Sequence, residues 1–90
     1  KGYTYLGIVG PKNEDGMYRI EQRNKFSVGD TIEIMKPDGT NQPVKVLGMF
    51  NKDMEPVGSC PHSKQAIWLK LSEVPERYDL LRVENMKENK

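Results

Sequence analysis

Cys60 and His62 stand two positions apart and are the one thiol and the one imidazole of the sequence. In an extended segment both side chains would point to the same side, so a thiol nucleophile with a histidine base is one hypothesis. The alternative is that Cys60 is a small apolar residue in a proline-bounded loop. We favour the loop, because thiol proteases draw their cysteine and histidine from distant parts of the chain. We therefore predict no catalytic residue and no enzymatic activity for this chain alone.

Metal binding would have to use the same segment, which we predict to be a loop from Asn51 to Ser63. Asp53 and Glu55 are its acidic residues. Zinc sites use three or four nitrogen and sulfur ligands, and the sequence has two such side chains. We predict no metal site, and no cofactor, because no glycine-rich phosphate loop precedes a helix. We expect the remaining carboxylates to be solvated at turns or outward strand positions: Glu14, Asp15, Glu33, Glu73, Glu76 and Asp79.

The densest polar segment is Glu21–Lys25, where charged side chains occupy every second position from 19 to 25. If a strand continues through this segment, those side chains share one outward face. That face either contacts RNA phosphate or an acidic protein surface, or it is simply solvated. Gln22 and Asn24 fall on the inward register, and buried amides need hydrogen-bond partners. The candidate binding residues here are Gln22, Arg23, Asn24 and Lys25.

Four aromatic side chains form a second candidate, either a stacking platform for bases or sugars, or ordinary core packing. They are Tyr3, Tyr5, Phe50 and Trp68. Trp68 alternates with Lys70 along a predicted strand, so we expect it to be partly exposed. It is the fifth candidate binding residue.

Short strands must position these side chains. Glycine and proline divide the sequence into six β-rich runs, and no helical period exceeds two turns. The predicted strands are Tyr3–Val9, Met17–Gln22, Thr31–Met35, about Pro43–Phe50, Gln65–Leu71 and Leu80–Val83. A turn at Asp15-Gly16 makes the first two a hairpin. Closure of the sheet protects its edges, so the fold class is all-β, a small closed or nearly closed antiparallel barrel.

Composition agrees with one domain of 90 residues, 36% of them hydrophobic. With 14 basic and 13 acidic residues, the net charge of +1 argues against nucleic-acid binding by bulk charge alone. A single cysteine excludes an internal disulfide and favours a reducing, cytoplasmic setting. We expect an excised, monomeric module over residues 1–84 with a polar tail at 85–90, and no membrane span.

One motif is long enough to identify a family. Residues 20–30 read IEQRNKFSVGD, followed by Ile32-Glu33-Ile34 and Pro37-Asp38-Gly39. This motif resembles the C-terminal domain of the collagenase-like peptidases, family U32. Further segments resemble the same domain: the opening residues 5–9, Pro61-His62 with Gln65, and the ending residues 79–82. Members commonly carry alanine at the position of Cys60, which argues against a thiol mechanism.

The resemblance implies a β-barrel similar to the second domain of translation elongation factors, next to a catalytic domain that this chain lacks. We expect a non-catalytic accessory domain that helps recognise a protein substrate or a partner. Some family members resemble factors for hydroxylation of transfer or ribosomal RNA, so an RNA-binding barrel is the alternative. A self-contained thiol peptidase built on Cys60 and His62 is the third hypothesis.

Overall fold

Six antiparallel strands form the regular structure of residues 2–59 and 66–84, the part of the chain that the computed structural model describes. They are β1 (Tyr3–Lys12), β2 (Tyr18–Glu21), β3 (Thr31–Met35), β4 (Asn41–Phe50), β5 (Ala66–Leu71) and β6 (Leu80–Glu84). Their order around the closed sheet is β1-β2-β5-β4-β3-β6. The predicted all-β fold class and closed antiparallel barrel are therefore confirmed. Within the same residues, no helix is long and apolar enough to cross a membrane.

Two tight turns join neighbouring strands, and the first contains the predicted Asp15-Gly16 turn. Between β1 and β2, the Asn13 side-chain oxygen accepts hydrogen bonds from the backbone N–H groups of Asp15 and Met17, at 2.9 and 3.0 Å. Between β3 and β4, a carboxylate oxygen of Asp38 accepts from the backbone N–H and the hydroxyl of Thr40. In both turns an Asn or Asp side chain bonds the backbone two residues further along, and this local hydrogen bond stabilises the turn.

The core follows from alternation along each strand, because successive side chains point to opposite faces. Ile32 and Ile34 of β3 are buried, and so are Ile67 and Leu69 of β5. Thirteen apolar side chains fill the interior: Leu6, Val9, Tyr18, Ile20, Phe26, Ile32, Ile34, Val44, Val46, Met49, Ile67, Leu69 and Leu81. This interior is packed with side chains, so ligands must meet the outer surface of the barrel.

β1 is longer than predicted and continues through Gly10 and Pro11 to Lys12. It also passes very close to β2. A Cβ atom on Gly10 would lie 2.6 Å from the carbonyl oxygen of Arg19. Real side chains do not tolerate that distance, so the glycine permits the close approach of two backbones. The pairing of β1 with β2 shifts register between Val9 and Lys12, as a β-bulge does.

Asp79 corrects one prediction, because it is not solvated: its exposed fraction is 1%. Its carboxylate accepts hydrogen bonds from the Lys36 ammonium at 2.7 Å and from the backbone N–H of Glu76 at 2.9 Å. The hydrogen bond to Asp79 raises the pKa of Lys36 above its usual value. The same segment joins β1 through backbone hydrogen bonds, Val9 N–H to Asp79 O and Tyr78 N–H to Val9 O, both 2.8 Å. A turn that folds back on the barrel in this way buries its carboxylate.

The predicted loop that begins at Asn51 is only partly described. Asn51 organises its start, since its side-chain oxygen accepts from the backbone N–H groups of Asp53 and Glu55. Residues 60–65 lie outside the described residues, and with them lie Cys60 and His62. The thiol hypothesis therefore stays a hypothesis. The predicted tail at 85–90 also lies outside the described residues.

Candidate recognition surface

The candidate segment Gln22–Lys25 follows directly after β2 and crosses the side of β1. β2 ends at Glu21, so the strand does not continue through the segment. The backbone N–H of Arg23 donates to the carbonyl oxygen of Leu6 at 3.0 Å. The side-chain amide of Asn24 donates to the carbonyl oxygen of Tyr5 at 2.7 Å. Two consecutive residues thus tie the chain to β1 before Phe26 enters the core.

The two amides of this segment have different environments. Gln22 is buried as predicted, with 1% of its surface exposed. Asn24 is exposed, so its predicted inward orientation is wrong. The reason is that strand alternation stops at Glu21, and the chain then follows the hydrogen bonds to β1 instead. Both amides therefore contribute to the architecture of the segment: Gln22 by its burial, Asn24 by its bond to Tyr5.

Arg23 and Lys25 are the exposed cations of the segment. The Arg23 guanidinium lies 3.5 Å from the Glu21 carboxylate, and these side chains are 43% and 59% exposed. An ion pair as exposed as this one contributes little to stability. A ligand phosphate or carboxylate can therefore replace Glu21 as the partner of Arg23 at low cost.

Trp68 lies on the outer face of β5 and is half-buried. In the strand ladders it stands opposite Arg19 of β2 on one side and Phe50 of β4 on the other. The ladder of β2 and β5 ends at Glu21 and Ala66, which separate Trp68 from the segment that begins at Gln22. The structure thus places a cation and an aromatic ring beside Trp68. The pairing register, which the sequence does not supply, is what identifies Arg19 and Phe50 as its neighbours.

The four candidate aromatics do not form one platform. Tyr3 and Tyr5 lie on β1, whereas Phe50 and Trp68 lie on β4 and β5, with β2 between β1 and β5. The Arg82 guanidinium stands over the Tyr3 ring, 3.7 Å from its centroid. We call the outer surface around Trp68 the β2–β5 face, defined by Arg19, Glu21, Phe50, Ala66, Trp68 and Lys70.

A shallow groove of about 340 Å³ adjoins this face. It is lined by Ile8, Gly10, Pro11, Arg19, Glu21 and Ala66. The groove exists because Gly10 and Ala66 carry little or no side chain between the larger Ile8 and Arg19. One cation, Arg19, and one carboxylate, Glu21, line an otherwise apolar floor.

Metal-ligating clusters and side chains with a shifted pKa are the other features that can indicate a chemical site. Within residues 2–59 and 66–84, no three His, Cys, Asp or Glu side chains stand close enough to hold a metal ion. The pKa of Asp38 is lowered, chiefly by the backbone N–H of Thr40. Asp38 and Lys36 both lie in the turn between β3 and β4, outside the β2–β5 face. The largest causes of both pKa shifts are local hydrogen bonds, from Thr40 to Asp38 and from Lys36 to Asp79.

The sequence profile described as "Peptidase family U32 C-terminal domain" matches residues 1–82. The chain belongs to this family. The resemblance of the 20–30 motif to that family is thereby confirmed. A crystal structure of the C-terminal domain of a Geobacillus thermoleovorans protein assigned to the U32 peptidases superposes with a TM-score of 0.77, at 24% identity, over 91% of this chain and 93% of that chain. Its selenomethionine variant superposes with a TM-score of 0.74, at 23% identity, over 87% and 96%.

At these identities the two U32 structures show the shared fold alone. A curated relative is the "tRNA hydroxylation protein P" of Haemophilus influenzae, 40% identical over 50 residues. The match covers 56% of this U32 chain and 11% of the relative. The chain thus corresponds to a small fraction of that protein's length.

Proposed function

We propose that this chain is a non-catalytic recognition module of a U32 protein, assisting a catalytic domain that the chain does not contain. The observation that supports this most directly is the β2–β5 face, where Trp68 stands opposite Arg19 and two positions from Lys70. Arg23 and Lys25 are two further exposed cations, in the segment that follows the end of β2. The peptidase activity of the longer protein is part of this proposal, and so is the cytoplasmic setting that a single cysteine favours.

Single-stranded RNA is the ligand that we propose for this face, and a protein substrate is the alternative. Aromatic rings beside cations bind unpaired bases by stacking while the cations contact phosphate. The name of the curated relative, a tRNA hydroxylation protein, favours RNA over a protein substrate. A net charge of +1 argues only against binding by bulk charge, whereas this proposal relies on a few individual exposed cations. Trp68 would stack on a base, and Arg19, Arg23, Lys25 and Lys70 would contact phosphates.

The test measures binding of a fluorescent single-stranded RNA by anisotropy at several salt concentrations. We expect Trp68→Ala to weaken binding about tenfold, since one base stack contributes about 1–3 kcal/mol. Arg23→Ala with Lys25→Ala should lower the slope of log K against log salt by about 1.4, because each lost phosphate contact removes about 0.7 for single strands.

Two matched controls define specificity. Tyr5→Ala removes a 40% exposed ring from β1, and Lys12→Ala with Lys52→Ala removes two exposed cations elsewhere. Neither change should affect RNA affinity beyond twofold. Equal weakening by the controls, or no RNA binding by the unaltered chain, would rule out RNA at this face. Binding of unfolded casein that depends on Trp68 and only weakly on salt would then support the protein ligand.

A further inference from the structure

A second outer surface of the barrel has a different character from the β2–β5 face. We call it the β1–β6–β3 face, and its outward side chains are Tyr3, Tyr5, Ile8, Met35, Leu80 and Arg82. The ladders align Ile8, Leu80 and Met35 in one row across the three strands. Ile8 is 45% exposed and Leu80 is 36% exposed. The row is therefore a contiguous apolar strip, framed at one end by tyrosines that are 44% and 40% exposed.

The strong charges within this face neutralise one another. The Arg82 Nε donates to the Glu33 carboxylate at 3.0 Å, and the guanidinium also lies over the Tyr3 ring. Both charged side chains are largely covered, at 17% and 26% exposure. Interface cores are rich in aromatic residues, methionine and arginine and poor in uncompensated charge, and this face has that composition. It suits a protein surface and offers no free cation to a phosphate.

The positions of the first and last strands indicate which protein could cover the β1–β6–β3 face. Tyr3 and Glu84 are paired partners, so the first and last described strands meet at one end of the same face. Polypeptide that continues on either side would leave from the tyrosine end of this face, at the other end of the β1–β6 ladder from Ile8 and Leu80. The family is described as a C-terminal domain, and the chain matches only 11% of a curated relative. A large preceding part of the same polypeptide is thus the partner that starts closest to this face.

We propose that the β1–β6–β3 face docks against the preceding domain of the same polypeptide. This inference rests on the proposed function, because it requires the chain to be a module of a longer protein. β6 is three strands from β5 in either direction around the barrel. Docking through β6 therefore directs Trp68 away from the rest of the protein and toward solvent, where a ligand has access. One barrel wall attaches the module and the opposite wall recognises the ligand.

Hydroxyl-radical footprinting compares the 90-residue chain with the longer protein. Met35 lies in the face, and Met54 is a 37% exposed methionine outside it. We expect oxidation of Met35 and Tyr5 to fall at least threefold in the longer protein, while Met54 and Trp68 keep their rates. Unchanged oxidation of Met35 and Tyr5 would overturn the docking proposal without affecting RNA binding through Trp68.

A pair of leucine variants tests the same contact in the longer protein. Leu80→Lys places a charge within the apolar strip, whereas Leu47→Lys makes the same change at a 49% exposed position on β4. We expect Leu80→Lys to restore Met35 oxidation and to enlarge the radius of gyration measured by X-ray scattering, and Leu47→Lys to do neither. Dimerisation of the 90-residue chain that Leu80→Lys abolishes would overturn the proposal in favour of a second copy as the occupant.

Discussion

The contact between Lys36 and Asp79 joins the end of β3 to the turn before β6, and its removal should be costly. The two partners are unequally buried: 23% of the Lys36 side chain is exposed, against 1% of the Asp79 side chain. Lys36→Met therefore leaves a buried carboxylate that loses its cation and still accepts from the backbone N–H of Glu76 at 2.9 Å. We predict that this single change destabilises the barrel far more than a typical surface substitution.

The magnitude follows from the burial of each partner. Breaking a buried ion pair on one side costs about 3–5 kcal/mol, and the remaining Glu76 contact places Lys36→Met near 3 kcal/mol. Asp79→Asn should cost about 1–2 kcal/mol, since its amide oxygen still accepts from Glu76 and the partly exposed Lys36 can reach water. The double variant removes both charges. It should therefore be more stable than Lys36→Met alone.

The pH dependence has a definite sign. The hydrogen bond to Asp79 raises the pKa of Lys36 above the 10.5 of an unfolded chain. Its stabilising contribution is thus fully present below pH 10.5 and is lost as the pH rises through the folded value. The difference in unfolding free energy between the unaltered chain and Lys36→Met should stay constant from about pH 7 to 9, then shrink above 10.5.

Urea unfolding followed by the fluorescence of Trp68, the one tryptophan, measures these differences. A Lys36→Met variant within about 1 kcal/mol of the unaltered chain would refute the reasoning, since that is the range of surface changes. A double variant less stable than Lys36→Met would refute it equally, because the buried charge would not then be the source of the loss.

The remaining predictions concern the central segment, a strand glycine and the cysteine. Arg23→Ala with Lys25→Ala should change the unfolding free energy by about 0.5 kcal/mol or less, whereas Gln22→Ala should cost about 1–3 kcal/mol. Equal losses in urea melts would make the whole segment architectural. Gly10→Ala should lower the unfolding free energy by about 1–3 kcal/mol, because the added methyl group forces β1 and β2 apart. An unchanged unfolding free energy would contradict the close approach of the two backbones. Cys60→Ala should cost about 1 kcal/mol or less, and a larger loss would place Cys60 in the core. The 90-residue chain should not cleave gelatin or casein, and cleavage abolished by Cys60→Ala would revive the thiol hypothesis.

The sequence predicts best where the signal is local. The bounds of β3 are correct at both ends because Gly29 and Pro37 stand on either side of the alternating Ile32 and Ile34. The predicted orientation of a side chain is wrong where its hydrogen-bond partner lies far away along the chain. Asn24 faces outward because its amide reaches Tyr5, 19 residues away, and Asp79 is buried because it meets Lys36, 43 residues away. The neighbours of Trp68 depend likewise on the pairing of β2, β4 and β5, which single-strand patterns do not specify.

β6 lies between β1 and β3 in the closed sheet, although it is the last of the six strands in chain order. Its ladder to β1 pairs Tyr3 with Glu84, one of the longest sequence separations in the fold. During synthesis, a chain that extends only through β5 therefore has two unpaired strand edges, on β1 and on β3. Unpaired edges pair readily with other chains. Truncation before Leu80 should consequently produce aggregation on the ribosome or soon after release, and folding should be slow because its closing step joins the two ends.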